Sequence, residues 1–121
     1  MNKATTLNPK RGDVWRVNFD PTKGSEIRKA RPAVVISSDA IGVLPVRIVA
    51  PITGWKSVFE KNIWHVRLKP TTRNGLTKES AVDALQVRSA DTSRFEEKLG
   101  RTSTTELEEI ITAVAVVIEY R

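Results

Sequence analysis

The stretch FDPTKGSEIRKARPAVVIS, residues 19–37, begins at the end of one apolar strand and finishes inside another. Pro21 and Gly24 predict a polar loop between the two strands. Pro32 fixes its own backbone and favours an extended Arg31, so the guanidinium of Arg31 is presented at a stiff corner. Such a guanidinium suits a phosphate, because its planar fork donates two parallel hydrogen bonds. The alternative is an arginine that only solvates a strand entrance. The loop also carries one acid and three further cations: Glu26, Lys23, Arg28 and Lys29.

The composition is typical of one folded domain with a basic surface. The chain has 121 residues, 40% hydrophobic and 28% charged, with a formal net charge of +6. This length fits a single domain, and we expect a flexible N-terminal tail over residues 1–10 and one domain over residues 11–121. The positive charge favours polyanionic partners, although a basic surface can also serve solubility alone.

Several kinds of chemistry are unexpected for this composition. The chain has no Cys, which excludes disulfides and thiol chemistry. It has one His, and a transition-metal site is disfavoured because such sites draw on several His or Cys ligands. We expect no metal and no cofactor. No apolar run approaches the roughly 20 residues of a membrane span, and the N-terminus lacks the apolar core of a secretory signal. We therefore expect a cytoplasmic protein.

Short apolar segments separated by turn residues run through most of the chain. Alternation and β-branched runs predict five or six strands. Pro51 would place the third strand at an edge or a bulge, and alternation in the fourth places His65 on its outer face. The strand candidates cover residues 13–20, 33–36, 45–52 and 63–69, with weaker patterns over 80–87 and 94–99.

The C-terminal segment reads as an amphipathic helix over residues 104–119. Ser103 and Glu106 have the spacing of a capping box, and apolar residues follow at helical spacing. Strands followed by one helix predict an α+β class, mainly β, with a strongly bent sheet closed by the helix. The apolar helix face and short sheet edges favour a homodimer.

Five segments, in this order and at this spacing, resemble the MazF/PemK family of toxin endoribonucleases. The resemblance runs from about Lys10 to the end of the helix. It implies a small Src-homology-like β-barrel of the CcdB/PemK type and a dimeric toxin that cleaves single-stranded RNA at short motifs without metal. It also implies silencing by a cognate acidic antitoxin, which would occupy the same groove as RNA. The five segments are NFDPT (residues 18–22), GSE (24–26), RPAVVIS (31–37), PIT (51–53) and QVRSAD (86–91).

The family pattern implies two catalytic residues here, Arg31 directly before the proline and Thr53 at the end of the third strand. Metal-free RNA cleavage uses the neighbouring 2′-OH as nucleophile and leaves a 2′,3′-cyclic phosphate and a 5′-OH. Arg31 would stabilise charge on the phosphate, and Thr53 would donate one hydrogen bond to a phosphate oxygen or bind backbone instead. Glu26 is a candidate general base, but it could equally recognise a nucleobase of the RNA or hold the loop through Arg28.

Six residues are candidates for RNA binding. Exposed cations would follow the RNA backbone, and Trp55 could stack on a splayed base or simply anchor its loop. His65, the one histidine, fits a structural role better than catalysis. The six candidates are Ser25, Arg28, Lys29, Trp55, Lys56 and Gln86.

The chain departs from the family pattern beside Gln86. Some relatives carry an acid immediately before this glutamine and some an arginine three residues before it, whereas this chain has Leu85 and Asp83. Any mechanism that needs those groups cannot be transferred. Two alternative functions stay open: a toxin on the same barrel that inhibits a protein such as DNA gyrase and has no use for the Arg31 and Thr53 pair, and, because the acid beside Gln86 is missing, a catalytically weak RNA- or DNA-binding module.

Overall fold

The computed structural model describes residues 7–120, which form one antiparallel sheet and a C-terminal helix. The sheet order is β4-β5-β3-β2-β1-β7, and β6 also pairs with β3. The mainly β class with a C-terminal helix is confirmed, and the predicted barrel is a strongly curved sheet that does not close. The elements are β1 (Asp13–Asn18), β2 (Ala30–Val35), β3 (Val46–Gly54), β4 (His65–Leu68), β5 (Ser80–Asp83), β6 (Arg88–Asp91), β7 (Phe95–Arg101) and α1 (Thr104–Val117).

Strand β3 is the centre of the sheet. It pairs with β2 on one side, and on the other it pairs first with β6 and then with β5. The partner changes around Pro51, which has no N–H to give to a ladder. Of the two positions that the sequence allowed, an edge or a bulge, the edge is wrong: Pro51 lies inside a central strand, where the pairing partner of β3 changes. A short 3-10 turn, Ala84–Gln86, joins β5 to β6 beside this break, so it lies next to the strand that carries Thr53.

Two apolar clusters form the core on opposite faces of the curved sheet. Successive side chains of a strand point to opposite faces, so β1 contributes to both clusters. Val14 packs in the first cluster and Trp15 in the second. Helix α1 covers the first cluster with Ile110. The second cluster includes Phe19 and is contacted by Ile27, so the loop between β1 and β2 rests on it.

Helix α1 begins as predicted. The Ser103 hydroxyl accepts a hydrogen bond from the Glu106 N–H at 3.0 Å, and the Glu106 carboxylate accepts one from the Ser103 N–H at 2.8 Å. The helix ends at Val117, two residues earlier than expected, and Glu119 follows with a φ of +61°. Within residues 7–120, no helix is long and apolar enough to cross a bilayer.

Strand β6 was missed by the sequence analysis, which placed a connection there. Only Ala90 of this strand is buried, whereas Ser89 and Asp91 are exposed, so its one buried residue gives no visible alternation. Pairing with the first half of β3 forms the strand instead. Tertiary contacts thus override a local sequence that resembles a turn.

The predicted flexible tail, residues 1–10, falls largely outside the described residues. Its last four residues lie against the sheet, where Leu7 contacts the second cluster. The buried guanidinium of Arg47 donates to the Pro9 carbonyl at 2.9 Å and to the Asn8 side-chain oxygen at 3.0 Å. The boundary between tail and domain stays a prediction.

Candidate active site

The β1–β2 loop, residues 19–29, is held by hydrogen bonds at both ends. The Phe19 N–H donates to the Lys29 carbonyl at 3.0 Å, and the Lys29 N–H donates to the Asp20 carboxylate at 3.0 Å. Nearer its tip, the Glu26 carboxylate accepts from the Lys23 N–H at 2.8 Å. From outside the loop, Arg94 donates to the Asp20 carbonyl at 2.6 Å. The loop therefore has a defined conformation in front of β2.

Gln86 fixes the middle of this loop. Its amide nitrogen donates to the Ser25 carbonyl at 2.9 Å, and its amide oxygen accepts from the Ile27 N–H at 2.9 Å. The Gln86 side chain thus makes one donor and one acceptor contact with the loop backbone, as a neighbouring strand would. Asp83 caps the turn that carries Gln86 by accepting from the Leu85 N–H at 3.0 Å. The predicted contact of Gln86 with RNA stays a prediction, and its two amide groups already bind the loop.

Replacing Gln86 by Ala should loosen the β1–β2 loop without unfolding the protein. Two hydrogen bonds would be lost, which corresponds to about 1–3 kcal/mol. We expect faster hydrogen exchange at the Ile27 amide and a lower free energy of unfolding. Gln86→Glu is the matched control, because it keeps an acceptor for Ile27 and loses only the donor to Ser25. Unchanged exchange at Ile27 in Gln86→Ala would contradict this role.

Arg31 and Thr53 lie on neighbouring strands. The last pair of the β2–β3 ladder is Ala33 with Pro51. Arg31 and Thr53 each stand two residues beyond that pair, so alternation places both on the face that Ala33 and Pro51 share. The Arg31 side chain donates from Nε to the Arg28 carbonyl at 3.1 Å. Among residues 7–120, its two terminal nitrogens and the Thr53 hydroxyl have no protein hydrogen-bond partner. Both predicted catalytic groups therefore have donors available.

Basic side chains stand on the segments that flank Arg31 and Thr53 in the chain. Arg28, Lys29 and Lys56 are exposed, as expected for groups that follow a nucleic-acid backbone. The ammonium of Lys78 lies over Gly54, where a Cβ would come within 3.4 Å of it. Sequence reasoning missed Lys78 because it stands in a predicted loop far from Thr53 in the chain. Within the described range 7–120, no group of three or more acidic or His side chains is placed to hold a metal ion.

Trp55 is packed into a small aromatic cluster. Its ring meets that of Phe59 edge to face, with ring centres 5.9 Å apart. The guanidinium of Arg67 lies 4.7 Å from the centre of the Trp55 ring and is itself held by Glu79. These contacts agree with the loop-anchoring alternative. Stacking of Trp55 on a base stays a prediction.

His65 is enclosed, although alternation predicted it on the outer face. The turn Ser57–Lys61 covers this end of β4, and the His65 ring stacks on Phe59 with ring centres 3.8 Å apart. Asn62 bonds its Nδ1 at 3.1 Å, and its Nε2 lies 3.6 Å from the Asp83 carboxylate. Burial lowers the pKa of His65, and the nearby Asp83 charge partly opposes that shift.

The lowered pKa of His65 predicts a loss of stability in mild acid. Below its ordinary pKa near 6.5, the unfolded chain takes up a proton that the folded protein resists, so the free energy of unfolding falls as pH drops through and below that value. Chemical denaturation from pH 7.5 to pH 5 measures the slope. His65→Phe, which keeps the ring stack, should flatten the slope between pH 7 and pH 5. An identical slope in both proteins would contradict the assignment.

A cavity of about 360 Å³ opens between the β1–β2 loop and the β5–β6 turn. Glu26, Gln86 and Arg88 line it, whereas Arg31 and Thr53 are not among its lining residues. Sequence reasoning did not select Arg88, although it stands in the QVRSAD segment. The alternative in which Glu26 holds the loop through Arg28 is not what the structure has, because Glu26 binds the Lys23 N–H instead.

Known proteins of the same family match this chain over most of its length. Residues 10–118 match the family of PemK-like, MazF-like toxins of type II toxin–antitoxin systems. The chain is 35% identical over 107 residues to the endoribonuclease MazF9 of Mycobacterium tuberculosis, covering 84% of this chain and 88% of that protein. It is 33% identical over 108 residues to the endoribonuclease MazF of Staphylococcus saprophyticus, covering 88% of each.

Solved structures agree with this assignment. The crystal structure of MazF from Deinococcus radiodurans has a TM-score of 0.79 and 27% identity to this chain, covering 93% of this chain and 98% of that one. A MazE–MazF complex from the same organism gives a TM-score of 0.72 at 24% identity, covering 95% and 99%, and supports the fold. The chain therefore belongs to the MazF/PemK family of toxins of type II toxin–antitoxin systems.

Proposed function

We propose that this protein is a toxin endoribonuclease that cleaves single-stranded RNA at a short sequence motif without a metal ion. The observation that carries the proposal is that Arg31 and Thr53 stand on one face of neighbouring strands, each two residues beyond the last β2–β3 pair. Among residues 7–120, donor groups of both side chains are unengaged. The two endoribonucleases matched above support the reaction class. The net charge of +6 favours an RNA substrate.

The proposed chemistry begins with the 2′-OH of the cleaved nucleotide. Its oxygen gives up its proton to water and attacks the adjacent phosphorus. The bond from phosphorus to the 5′-oxygen breaks and that oxygen takes up a proton from water, so the products are a 2′,3′-cyclic phosphate and a 5′-OH. Negative charge grows on the phosphate oxygens during attack. The terminal nitrogens of Arg31 donate to these oxygens and the Thr53 hydroxyl adds one more hydrogen bond, so the transition state is bound more tightly than the substrate.

The surrounding cations position the RNA and do not carry out the reaction. Arg28, Lys29 and Lys56 bind backbone phosphates, with Lys78 beside Gly54 as a further contact, and this contribution weakens as salt rises. Ser25 lies at the tip of the β1–β2 loop, where it can contact a nucleotide. Trp55 anchors the β3–β4 connection at the side of this surface and offers a ring edge to the RNA.

The proposed biological setting is that of a toxin–antitoxin pair in the cytoplasm. A MazF from Deinococcus radiodurans has been solved with MazE, and by analogy we propose an acidic, partly disordered antitoxin for this chain. It would bind the basic surface around Arg31 and displace RNA. We also propose a homodimer, since the end of α1 exposes Val116 and Ile118. Binding of antitoxin that left RNA binding unchanged would contradict this picture.

The purified protein should cut a long RNA in the presence of EDTA. DNA gyrase is assayed in parallel, because the rival function on the same fold is inhibition of a protein target. Cleavage at defined sites with unaffected gyrase supports the proposal. Magnesium-dependent cleavage contradicts the metal-free mechanism, and gyrase inhibition without cleavage supports the rival toxin. Salt-sensitive RNA binding without any product supports a catalytically weak binding module.

A further inference from the structure

The cavity beside the β1–β2 loop holds two opposite charges that do not pair. Glu26 and Arg88 both line it, yet among residues 7–120 neither forms a salt bridge within 4.0 Å. One Glu26 oxygen accepts from the Lys23 N–H, which orients the carboxylate and leaves its second oxygen unengaged. Among residues 7–120, Arg88 makes long contacts to the carbonyls of Ser89, at 3.2 Å, and Phe19, at 3.4 Å, and its guanidinium lies 5.8 Å from the centre of the Phe19 ring. The two groups are therefore separated across a space that a ligand can fill.

The size and lining of the cavity fit a nucleobase. Its volume of about 360 Å³ accommodates a purine, and rigid apolar side chains form much of its wall, among them Phe19, Pro21 and Pro51. A phosphate is disfavoured, because Glu26 would repel it and an apolar wall would desolvate it. A neutral ring that offers donors to the carboxylate and acceptors to the guanidinium satisfies both charges at once.

We propose that this cavity binds one base of the RNA substrate and that the base is guanine. Guanine offers two adjacent donors, N1–H and N2–H₂, to a carboxylate, and two adjacent acceptors, O6 and N7, to a guanidinium. The Glu26 carboxylate accepts from the two donors, and the Arg88 guanidinium donates to O6 and N7. The second of these contacts is the arginine–guanine pairing that is common in base recognition. The inference rests on the proposed endoribonuclease function and gives it a sequence requirement.

The neighbouring residues agree with this assignment. Gln86 lines the cavity, but both ends of its amide already bind the β1–β2 loop, so it shapes the site without reading the base. Leu85, which stands where some relatives carry an acid, adds an apolar wall. Among the described residues that line the cavity, Glu26 is then the one carboxylate. Arg31 and Thr53 do not line the cavity, which favours base recognition by Glu26 over the role of general base.

Mapping of cleavage ends on a random-sequence RNA gives the first test. We expect guanine at one fixed position of the motif. A short RNA carrying that motif is then cut with inosine in place of guanosine, which removes the N2 donors, or with 7-deazaguanosine, which removes the N7 acceptor. Each analogue should lower kcat/KM about tenfold or more, since each loses a hydrogen bond to a charged group.

Two variants assign the edges of the base. In Glu26→Gln the penalty for inosine should shrink, and in Arg88→Met the penalty for 7-deazaguanosine should disappear. The exposed Arg16–Glu97 pair supplies matched controls, Arg16→Met and Glu97→Gln, which should keep both penalties. If Glu26→Gln slows all RNAs equally and keeps the inosine penalty, Glu26 acts as a base in the reaction and the inference is wrong for that residue.

The inference and the proposed function fail in different ways. Cleavage at sites without a fixed guanine overturns the guanine pocket and leaves the endoribonuclease intact. A protein that cuts no RNA overturns the function, and the pocket is then judged with 2′-O-methyl oligonucleotides, whose binding needs no cleavage. Tighter binding of guanine-containing oligonucleotides, reduced in Arg88→Met, supports the pocket. Equal binding of all four bases contradicts it.

Discussion

Replacing Arg31 by Ala should lower the rate of RNA cleavage at least about 10³-fold. The side chain is the charged donor that faces the proposed phosphate position, and its loss leaves the growing charge to Thr53 and solvent. Arg31 is half-buried, and among the described residues its side chain makes one hydrogen bond, to the Arg28 carbonyl, so the fold should survive. Circular dichroism and thermal unfolding check the fold, and single-turnover cleavage in EDTA gives the rate.

Two further variants separate charge from geometry. Arg31→Lys keeps the charge and loses the planar fork, so it should recover only part of the lost rate. Arg16→Ala removes an exposed cation on β1 that pairs with Glu97, and it should cut RNA at close to the normal rate. Full activity in Arg31→Ala, or an equal loss in Arg16→Ala, would show that net charge and not this side chain supports cleavage.

The largest expected effect on stability is that of Gly75→Ala. Gly75 has a φ of +70°, and a Cβ at this position would lie 2.0 Å from the Leu99 carbonyl oxygen. The left-handed backbone costs a non-glycine residue about 1–2 kcal/mol, and displacing β7 adds an overpacking cost of about 1–3 kcal/mol. We expect the free energy of unfolding to fall by about 3 kcal/mol or more, measured by urea denaturation.

Gly24→Ala isolates the backbone cost. Gly24 also has a positive φ, +56°, but a Cβ there would meet no atom within 4 Å. Its expected cost is therefore about 1–2 kcal/mol, from the left-handed conformation alone. The gap between the two variants measures the close approach of Gly75 to β7. An equal loss of unfolding free energy in both variants would mean that residues 71–76, the turn that carries Gly75, can move away from Leu99 at little cost.

The elements with strong local patterns were predictable from sequence. The alternation that starts at Asp13, the β-branched run of β2 and the Ser103 capping box all correspond to elements in the structure. Strand β6 was not predictable, because Ala90 alone is buried and pairing with β3 supplies the rest. The covering of His65 depends on the Ser57–Lys61 turn folding back onto β4, and no local pattern reports such a contact.

The candidate site was predictable only in part. Arg31 and Thr53 followed from the family resemblance, and each stands two residues beyond the last β2–β3 pair, Ala33 with Pro51. The cavity of Glu26 and Arg88 was not foreseen, since it forms only when the β1–β2 loop and the start of β6 are brought together by Gln86. The two residues that depart from the family pattern each have a structural role. Asp83 caps the turn that carries Gln86, and Leu85 lines the cavity.

The central claim is that the RNA supplies its own nucleophile and that Arg31 and Thr53 stabilise the phosphate. The most direct measurement uses a short RNA with a single cleavage site in EDTA, compared with the same RNA carrying one 2′-deoxy substitution at the cleaved nucleotide. Mass spectrometry of the products identifies both new ends. We predict a 2′,3′-cyclic phosphate and a 5′-OH from the all-RNA substrate and no cleavage of the substituted one. Cleavage of the 2′-deoxy RNA at the same site, or a 5′-phosphate product, would contradict the account.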